Sequence, residues 1–121
     1  MERVRNQGRR FDEAVEALSA LAHEHRLGVF RLLVKTGKEG LPAGEIAREV
    51  GVLPNTLSTH LAILDHAGLI GSRRAGRSVI YSADYDGIGG LLQFLVADCC
   101  NGRPEICAPL IEAAQACCIQ E

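Results

Sequence analysis

Glu45-Ile46-Ala47-Arg48-Glu49-Val50-Gly51-Val52, followed by Thr56-Leu57-Ser58-Thr59-His60-Leu61, is the stretch that decides the fold. Ala47 is small enough for two helices to cross closely, Gly51 supplies the turn four residues later, and Leu57 packs the second helix back on the first. That is the pattern of a helix-turn-helix. The exposed N-terminal face of its second helix is expected to carry Asn55, Thr56, Ser58, Thr59 and His60. Short polar side chains in that position reach base edges and phosphates in a DNA major groove. The bland alternative is a helical hairpin with a polar surface.

The segment that follows weighs against the bland alternative. Leu69-Ile70-Gly71 leads into Ser72-Arg73-Arg74, Ala75-Gly76 reads as a turn, and Arg77-Ser78-Val79-Ile80-Tyr81-Ser82 is β-branched and aromatic. The expectation is a two-stranded hairpin with Arg73, Arg74 and Arg77 at its tip. Such a basic wing tracks phosphates or enters the adjacent minor groove.

Outward from this centre the apolar spacing is helical. Phe11, Val15, Leu18, Leu21 and Ala22 form the stripe of a first helix, and Leu27, Phe30, Leu33 and Val34 that of a second, closed by Gly37. Lys35 to Gly40 reads as a polar turn, and Pro42 as the start of the third helix, with Ile46, Ala47 and Val50 inward. The fourth helix is expected from Pro54 to Ala67, with Leu57, Leu61, Ile63 and Leu64 as its core and Asn55 or Thr56 as its capping oxygen. After the hairpin, Asp84 or Asp86 caps a long helix reaching Cys100, with Leu91, Leu92, Leu95 and Val96 on its apolar side; Pro109 opens a short tail helix. The organisation is a basic arm over 1–10, a helical domain with a hairpin over 11–101, and a tail over 102–121.

The chain has 121 residues, the length of one domain, and is 47% hydrophobic with only 4% aromatic residues, which suits an aliphatic helical core. A net charge of −2 hides an uneven distribution. Residues 1–10 sum to +3 and residues 71–80 to +3, whereas 84–121 sum to −5. Local charge decides where a polyanion docks. The N-terminus is polar, no apolar run is long enough to span a bilayer, and five cysteines occur without a secretory signal. The expectation is a cytoplasmic protein with no membrane partner, in which clustered thiols bind a metal or sense redox state.

Three of those thiols, Cys99, Cys100 and Cys107, flank Asn101-Gly102-Arg103-Pro104, a helix-breaking segment that returns the chain. Three converging thiolates suit a thiophilic ion and not Mg²⁺ or Ca²⁺. Adjacent cysteines on a regular helix diverge by about 100°, so closing the site frays the last turn. Cys117 and Cys118 are candidates for a secondary metal site, although simple packing accounts for them. His23 and His25 are two apart, do not share a helix face, and read as structural or capping residues and not ligands. His66 reads as a residue favoured at a helix end.

Ala20-Leu21-Ala22-His23-Glu24-His25-Arg26-Leu27, the helix-turn-helix through Ser58-Thr59-His60-Leu61, Leu64-Asp65-His66-Ala67-Gly68-Leu69-Ile70 and the wing from Arg73 to Tyr81 together resemble the ArsR/SmtB family of metalloregulatory repressors. The resemblance covers roughly residues 11 to 100, with four blocks in order. It implies a mainly α winged helix-turn-helix homodimer that binds a palindromic operator when free of inducer and releases it when the inducer binds. It also implies a dimer contact from the first helix and the helix after the wing, here Phe11, Val15 and Leu18 with Leu91, Leu92 and Leu95. The Cys-x-Cys arsenic site beside the recognition helix is absent, because no cysteine precedes Cys99. The zinc site on the post-wing helix lacks its histidines, because His66 is the last in the chain. What remains is similar to a third arrangement, associated with trivalent arsenic and antimony, which points to Cys99, Cys100 and Cys107 as ligands for arsenic(III) or antimony(III). An oxidant, reactive sulfur or another soft ion acting on the same thiols is the alternative inducer. A thiol enzyme or metal-buffering protein is the alternative from another class, but no catalytic or cofactor motif accompanies the cysteines.

Overall fold

The computed structural model describes residues 11–96 and 109. The expected arm over 1–10, the expected ligands Cys99, Cys100 and Cys107, and the secondary candidates Cys117 and Cys118 lie outside the described residues. The described elements run α1 (Phe11–Leu21), α2 (Glu24–Thr36), β1 (Leu41–Pro42), α3 (Ala43–Val50), α4 (Pro54–His66), β2 (Ile70–Ala75), β3 (Ser78–Ala83) and α5 (Tyr85–Val96). These helices surround one aliphatic core, whose largest fully buried members are Leu33, Ile46, Leu57, Leu64, Leu69, Ile70 and Val29. This is the winged helix-turn-helix architecture expected from the sequence.

α1 opens with Asp12 and Glu13, carboxylates that favour a helix N-terminus. The residues it buries are Ala14, Ala17 and Ala20. Spacing of three along a helix makes one narrow face, and alanine lets α2, α4 and α5 pack closely against it. The large apolar residues of its stripe, Phe11, Val15 and Leu18, which the family resemblance assigns to a dimer contact, are exposed in the single chain. On α2, Leu33 of the expected stripe is buried together with Val29, while Leu27 and Val34 are exposed. Gly37 closes α2, its N–H donating to the Leu33 carbonyl at 3.1 Å.

Pro42 does not begin a helix directly. It pairs with Ile80 in a short strand and then caps α3 from its N-terminal side. The hairpin therefore becomes a three-stranded antiparallel sheet of order β1-β3-β2. Proline is tolerated in β1 because that strand is an edge. Gly40, just before it, has φ of 71°, and a Cβ there would overlap the Tyr81 carbonyl oxygen. The close approach of β1 to β3 thus requires glycine at this position.

The hairpin register runs from Ile70↔Ala83 to Ala75↔Ser78, leaving Gly76 and Arg77 as a two-residue loop. Asp84 joins sheet to helix: its N–H donates to the Leu69 carbonyl at 3.0 Å, and its Oδ1 accepts from the Gly87 N–H at 3.0 Å. Asp84 is therefore the oxygen that caps α5. Tyr85 then donates its hydroxyl proton to the Val34 carbonyl at 3.1 Å, fixing the start of α5 to the end of α2. Leu91 is 5% exposed and belongs to the core of the single chain, whereas Leu92 is 56% exposed and Leu95 is also open.

Candidate nucleic-acid interface

α3 and α4 are joined at Gly51, which has the left-handed conformation (φ 83°, ψ 38°) that glycine adopts freely. Its N–H and that of Val52 both donate to the Ala47 carbonyl, at 2.8 and 3.1 Å, so this carbonyl at the end of α3 is satisfied while the chain reverses. Ile46 and Ala47 are buried at this junction. α4 packs back through Leu57, Leu61 and Leu64.

α4 begins at Pro54, which has no N–H to leave unpaired, and its N-cap Leu53 contributes no side-chain hydrogen bond. Of the two expected sources of a capping oxygen, Asn55 supplies one. Asn55 Oδ1 accepts from the N–H of its neighbour Thr56, at 2.9 Å. This end of the helix is exposed, and the positive end of its dipole suits an approaching phosphate. Asn55, Thr56, Ser58 and Thr59 are exposed along this end, as expected from the sequence. The Ser58 hydroxyl donates back to the Pro54 carbonyl at 3.2 Å and keeps its own lone pairs available as acceptors.

His60 departs from that expectation. It is 7% exposed and lies on the buried face of α4 with Leu57, Leu61 and Leu64, so its ring is not presented at the reading surface. The helical period explains the difference. Positions 57, 60, 61 and 64 make one stripe, and 55, 56, 58 and 59 make the other. Ile63, expected in the core, falls on the exposed side for the same reason.

On the wing, Arg73, Arg74 and Arg77 are all exposed. Arg73 donates to the Glu39 carbonyl at 3.1 Å, which steers its guanidinium toward the turn before β1. Neighbouring residues on a strand face opposite ways, so Arg74 projects from the other side, and Arg77 sits in the loop. Between α4 and the wing runs an open cleft lined by Ser58, Leu61, Ala62, Asp65, Ser72 and Tyr81. A helix with an exposed polar N-terminus and a basic hairpin, separated by a cleft, form a surface suited to engaging a groove and its flanking backbone together.

Known proteins share this organisation. A family described as a helix-turn-helix domain matches residues 21–73. The HTH-type transcriptional regulator YgaV of Escherichia coli (strain K12) is 31% identical over 84 residues, which cover 69% of this chain and 83% of YgaV. The chain belongs to the ArsR/SmtB family of helix-turn-helix transcriptional regulators. Among solved members, HlyU from Vibrio cholerae N16961 superposes with a TM-score of 0.58 at 28% identity, covering 70% of this chain and 89% of HlyU. The homodimeric winged helix-turn-helix domain of Mb0332 from Mycobacterium bovis, a possible ArsR-family regulator, does so with a TM-score of 0.57 at 26% identity, covering 75% and 90%. The ArsR-type assignment makes the chain a DNA-binding regulator, and these relatives are regulators and not enzymes. Among the described residues no helix is long and apolar enough to cross a membrane.

One constellation in this ArsR-type fold is not foreshadowed by the sequence. His23 is the N-cap of α2, its Nδ1 accepting from the His25 N–H at 3.1 Å. The capping role is as expected, but both rings also lie against His60: ring centroids are 4.8 Å apart for His23–His60 and 5.8 Å for His25–His60. Burial, and then the nearby His23, Arg26 and His25, push the His60 imidazole below its ordinary pKa, so it favours the neutral form. Its Nδ1 is buried with no hydrogen-bond partner among the described residues. His66, at the end of α4, pairs instead with Glu16 of α1 at 2.5 Å. No spacing rule joins residues 23, 25 and 60, because the contact is made only when α4 packs beside the start of α2.

Proposed function

We propose that this ArsR-family chain is an arsenic(III)- or antimony(III)-responsive transcriptional repressor of the cytoplasm. As an apo homodimer it holds a palindromic operator, and it releases that operator when Cys99, Cys100 and Cys107 capture the inducer. The observation that carries the reading is positional. Three cysteines lie within residues 99–107, shortly beyond the end of α5 at Val96. α5 packs on α1, and both helices leave large apolar residues uncovered.

Capture is a ligand exchange without redox change. Arsenous acid and three thiols give an As(SR)₃ centre and three waters; each As–O bond is replaced by an As–S bond, and each thiol proton leaves in water. The three sulfurs form a pyramid with the arsenic lone pair at its apex, so no fourth ligand is needed. Closing that pyramid displaces the segment after α5, and with it the packing of the two helices expected to join the subunits. A hundredfold drop in operator affinity corresponds to about 2.7 kcal/mol of coupling, well within reach of three such bonds. Leu91, expected at the dimer contact, belongs instead to the core of the single chain; Phe11, Val15, Leu18, Leu92 and Leu95 remain available for that contact.

A mobility-shift titration on operator DNA under strict reduction tests the reading. Arsenite should release the wild-type protein, and Cys100→Ser should bind DNA normally but not let go. Wild-type protein that stays bound in saturating arsenite would sink the inducer assignment. Parallel arms with Cd²⁺, Cu(I), peroxide and a persulfide donor identify the inducer in that event.

A further inference from the structure

We infer that His23, His25 and His60 form a second metal site, independent of the thiols, that takes a first-row divalent ion of the zinc, cobalt and nickel class and links the start of α2 to the recognition helix α4. One ligand nitrogen from each residue lies within 4.8 Å of the others. His60 is more than nine-tenths buried, and its Nδ1 has no hydrogen-bond partner among the described residues. A buried polar atom of that kind is a costly feature unless something completes it. Imidazole nitrogens are the donors that borderline first-row ions prefer, and a set with no oxygen donor does not suit Ca²⁺ or Mg²⁺.

The geometry requires a modest closure. Zn–N bonds near ~2.0–2.1 Å in a tetrahedron place ligand nitrogens about 3.3 Å apart, somewhat closer than they now stand. His60 is packed in the core, so the movement falls on His23, which is exposed, and His25, which is half-buried. Three imidazoles leave a fourth position for water. Arg26 stands close by, its Nε donating to the Ala20 carbonyl at 2.7 Å. That fixed cation opposes a dication and keeps the site from being among the tightest zinc sites.

The proton count at His23 gives the site a consequence. Its Nδ1 accepts the His25 N–H, so the neutral ring carries its proton on Nε2. To ligate, the ring either moves that proton to Nδ1 or turns Nδ1 itself to the metal. In both cases the cap hydrogen bond to the His25 N–H is given up. Metal occupancy and the N-cap of α2 therefore exclude each other, and the ion exchanges a local cap for a tie between α2 and α4. That tie acts on the helix that carries Asn55, Thr56, Ser58 and Thr59, without using any cysteine.

The test uses the full-length chain with all five cysteines replaced by serine, so that no thiol contributes. Co²⁺ is titrated and followed by its visible absorption, with Zn²⁺ as competitor. The expected result is one Co²⁺ per chain with a spectrum of nitrogen and oxygen donors, displaced by one equivalent of Zn²⁺. His23→Gln and His25→Gln, both outside the core, should each weaken binding at least tenfold, and His66→Gln should leave it unchanged. The imidazole ¹⁵N resonances of His60 should shift on Zn²⁺ binding while those of His66 stay. No Co²⁺ binding below millimolar, or equal binding in His25→Gln, overturns the assignment. Because His60→Gln alters the core, the two outer histidines and the resonance shifts are the decisive readouts. Failure here leaves the arsenite reading untouched, since the operator-release assay depends on the cysteines alone.

Discussion

At the scale of single residues, two glycines of α5 occupy opposite situations. A Cβ built on Gly87 would overlap the Gly68 carbonyl oxygen, a backbone atom that cannot swing away. The same residue donates its N–H to the capping Asp84. Gly87→Ala must therefore push α5 away from the α4–β2 junction, and it should cost about 2–3 kcal/mol, the upper part of the usual overpacking range. Gly89 has nothing within 4 Å of its would-be Cβ and is exposed in the same helix. Gly89→Ala should instead raise stability by about 0.5–1 kcal/mol, because alanine loses less backbone freedom on entering a helix. Urea denaturation of both variants checks the pair: the midpoints should move in opposite directions with an unchanged slope. Equal shifts in one direction would show that α5 is not seated against Gly68 as described.

At the scale of elements, the sequence is legible where residue type and local geometry agree. Gly51 after Ala47, Gly76 between two strand-forming runs and Asp84 before Tyr85 each mark a boundary by a backbone requirement that few other residues satisfy. The inward face of a helix is less legible, since hydrophobic size is a poor guide when two apolar faces exist. On α1 the spacing picks out the large residues of the expected dimer contact but gives no sign that Ala14, Ala17 and Ala20 fill the core side. β1 leaves no trace because two residues carry no period, and its pairing to β3 depends on the remote Tyr81 and Ile80. His60 looks like a reading residue by its polarity, but its place in the 57, 60, 61, 64 stripe outweighs that and buries it. The wing gives this scale its prediction. Arg73 is held to Glu39 by a backbone contact, whereas Arg74 projects from the opposite face and Arg77 from the loop. Arg74→Ala and Arg77→Ala should each lower the slope of log K against log salt for operator DNA by about 0.9, one phosphate contact apiece. Arg73→Ala should change it less. Slopes identical to wild type in all three variants would remove the wing from the DNA contact.

At the scale of the molecule, the single chain is unfinished on one side. Phe11, Val15 and Leu18 from α1 and Leu92, Leu95 and Val96 from α5 are large, apolar and open, with Val15 57% exposed. The rings of Phe11 and Phe94 meet edge to face, 5.0 Å between centroids, so these two helices come together at that end. Apolar residues concentrated on adjoining helices mark an association surface, and a homodimer is the partner proposed here. Leu92 makes the sharpest test because it contributes little to the single chain, whereas its neighbour Leu91 is core. Leu92→Glu should give a folded monomer by sedimentation equilibrium, and its operator affinity should fall about 10²-fold or more as the second half-site ceases to be tethered. Leu91→Ala should instead destabilise the fold by about 2–5 kcal/mol. The monomer then decides how the thiol site is assembled. If Cys99, Cys100 and Cys107 of one chain close on arsenic by themselves, Leu92→Glu binds one arsenite per chain as tightly as wild type, although it has no operator complex left to release. If Cys107 reaches across to the other subunit, arsenite affinity collapses together with the dimer and returns at protein concentrations high enough to restore it. A Leu92→Glu chain that remains dimeric would place the association surface elsewhere and separate the thiols from the α1–α5 face through which they are proposed to act.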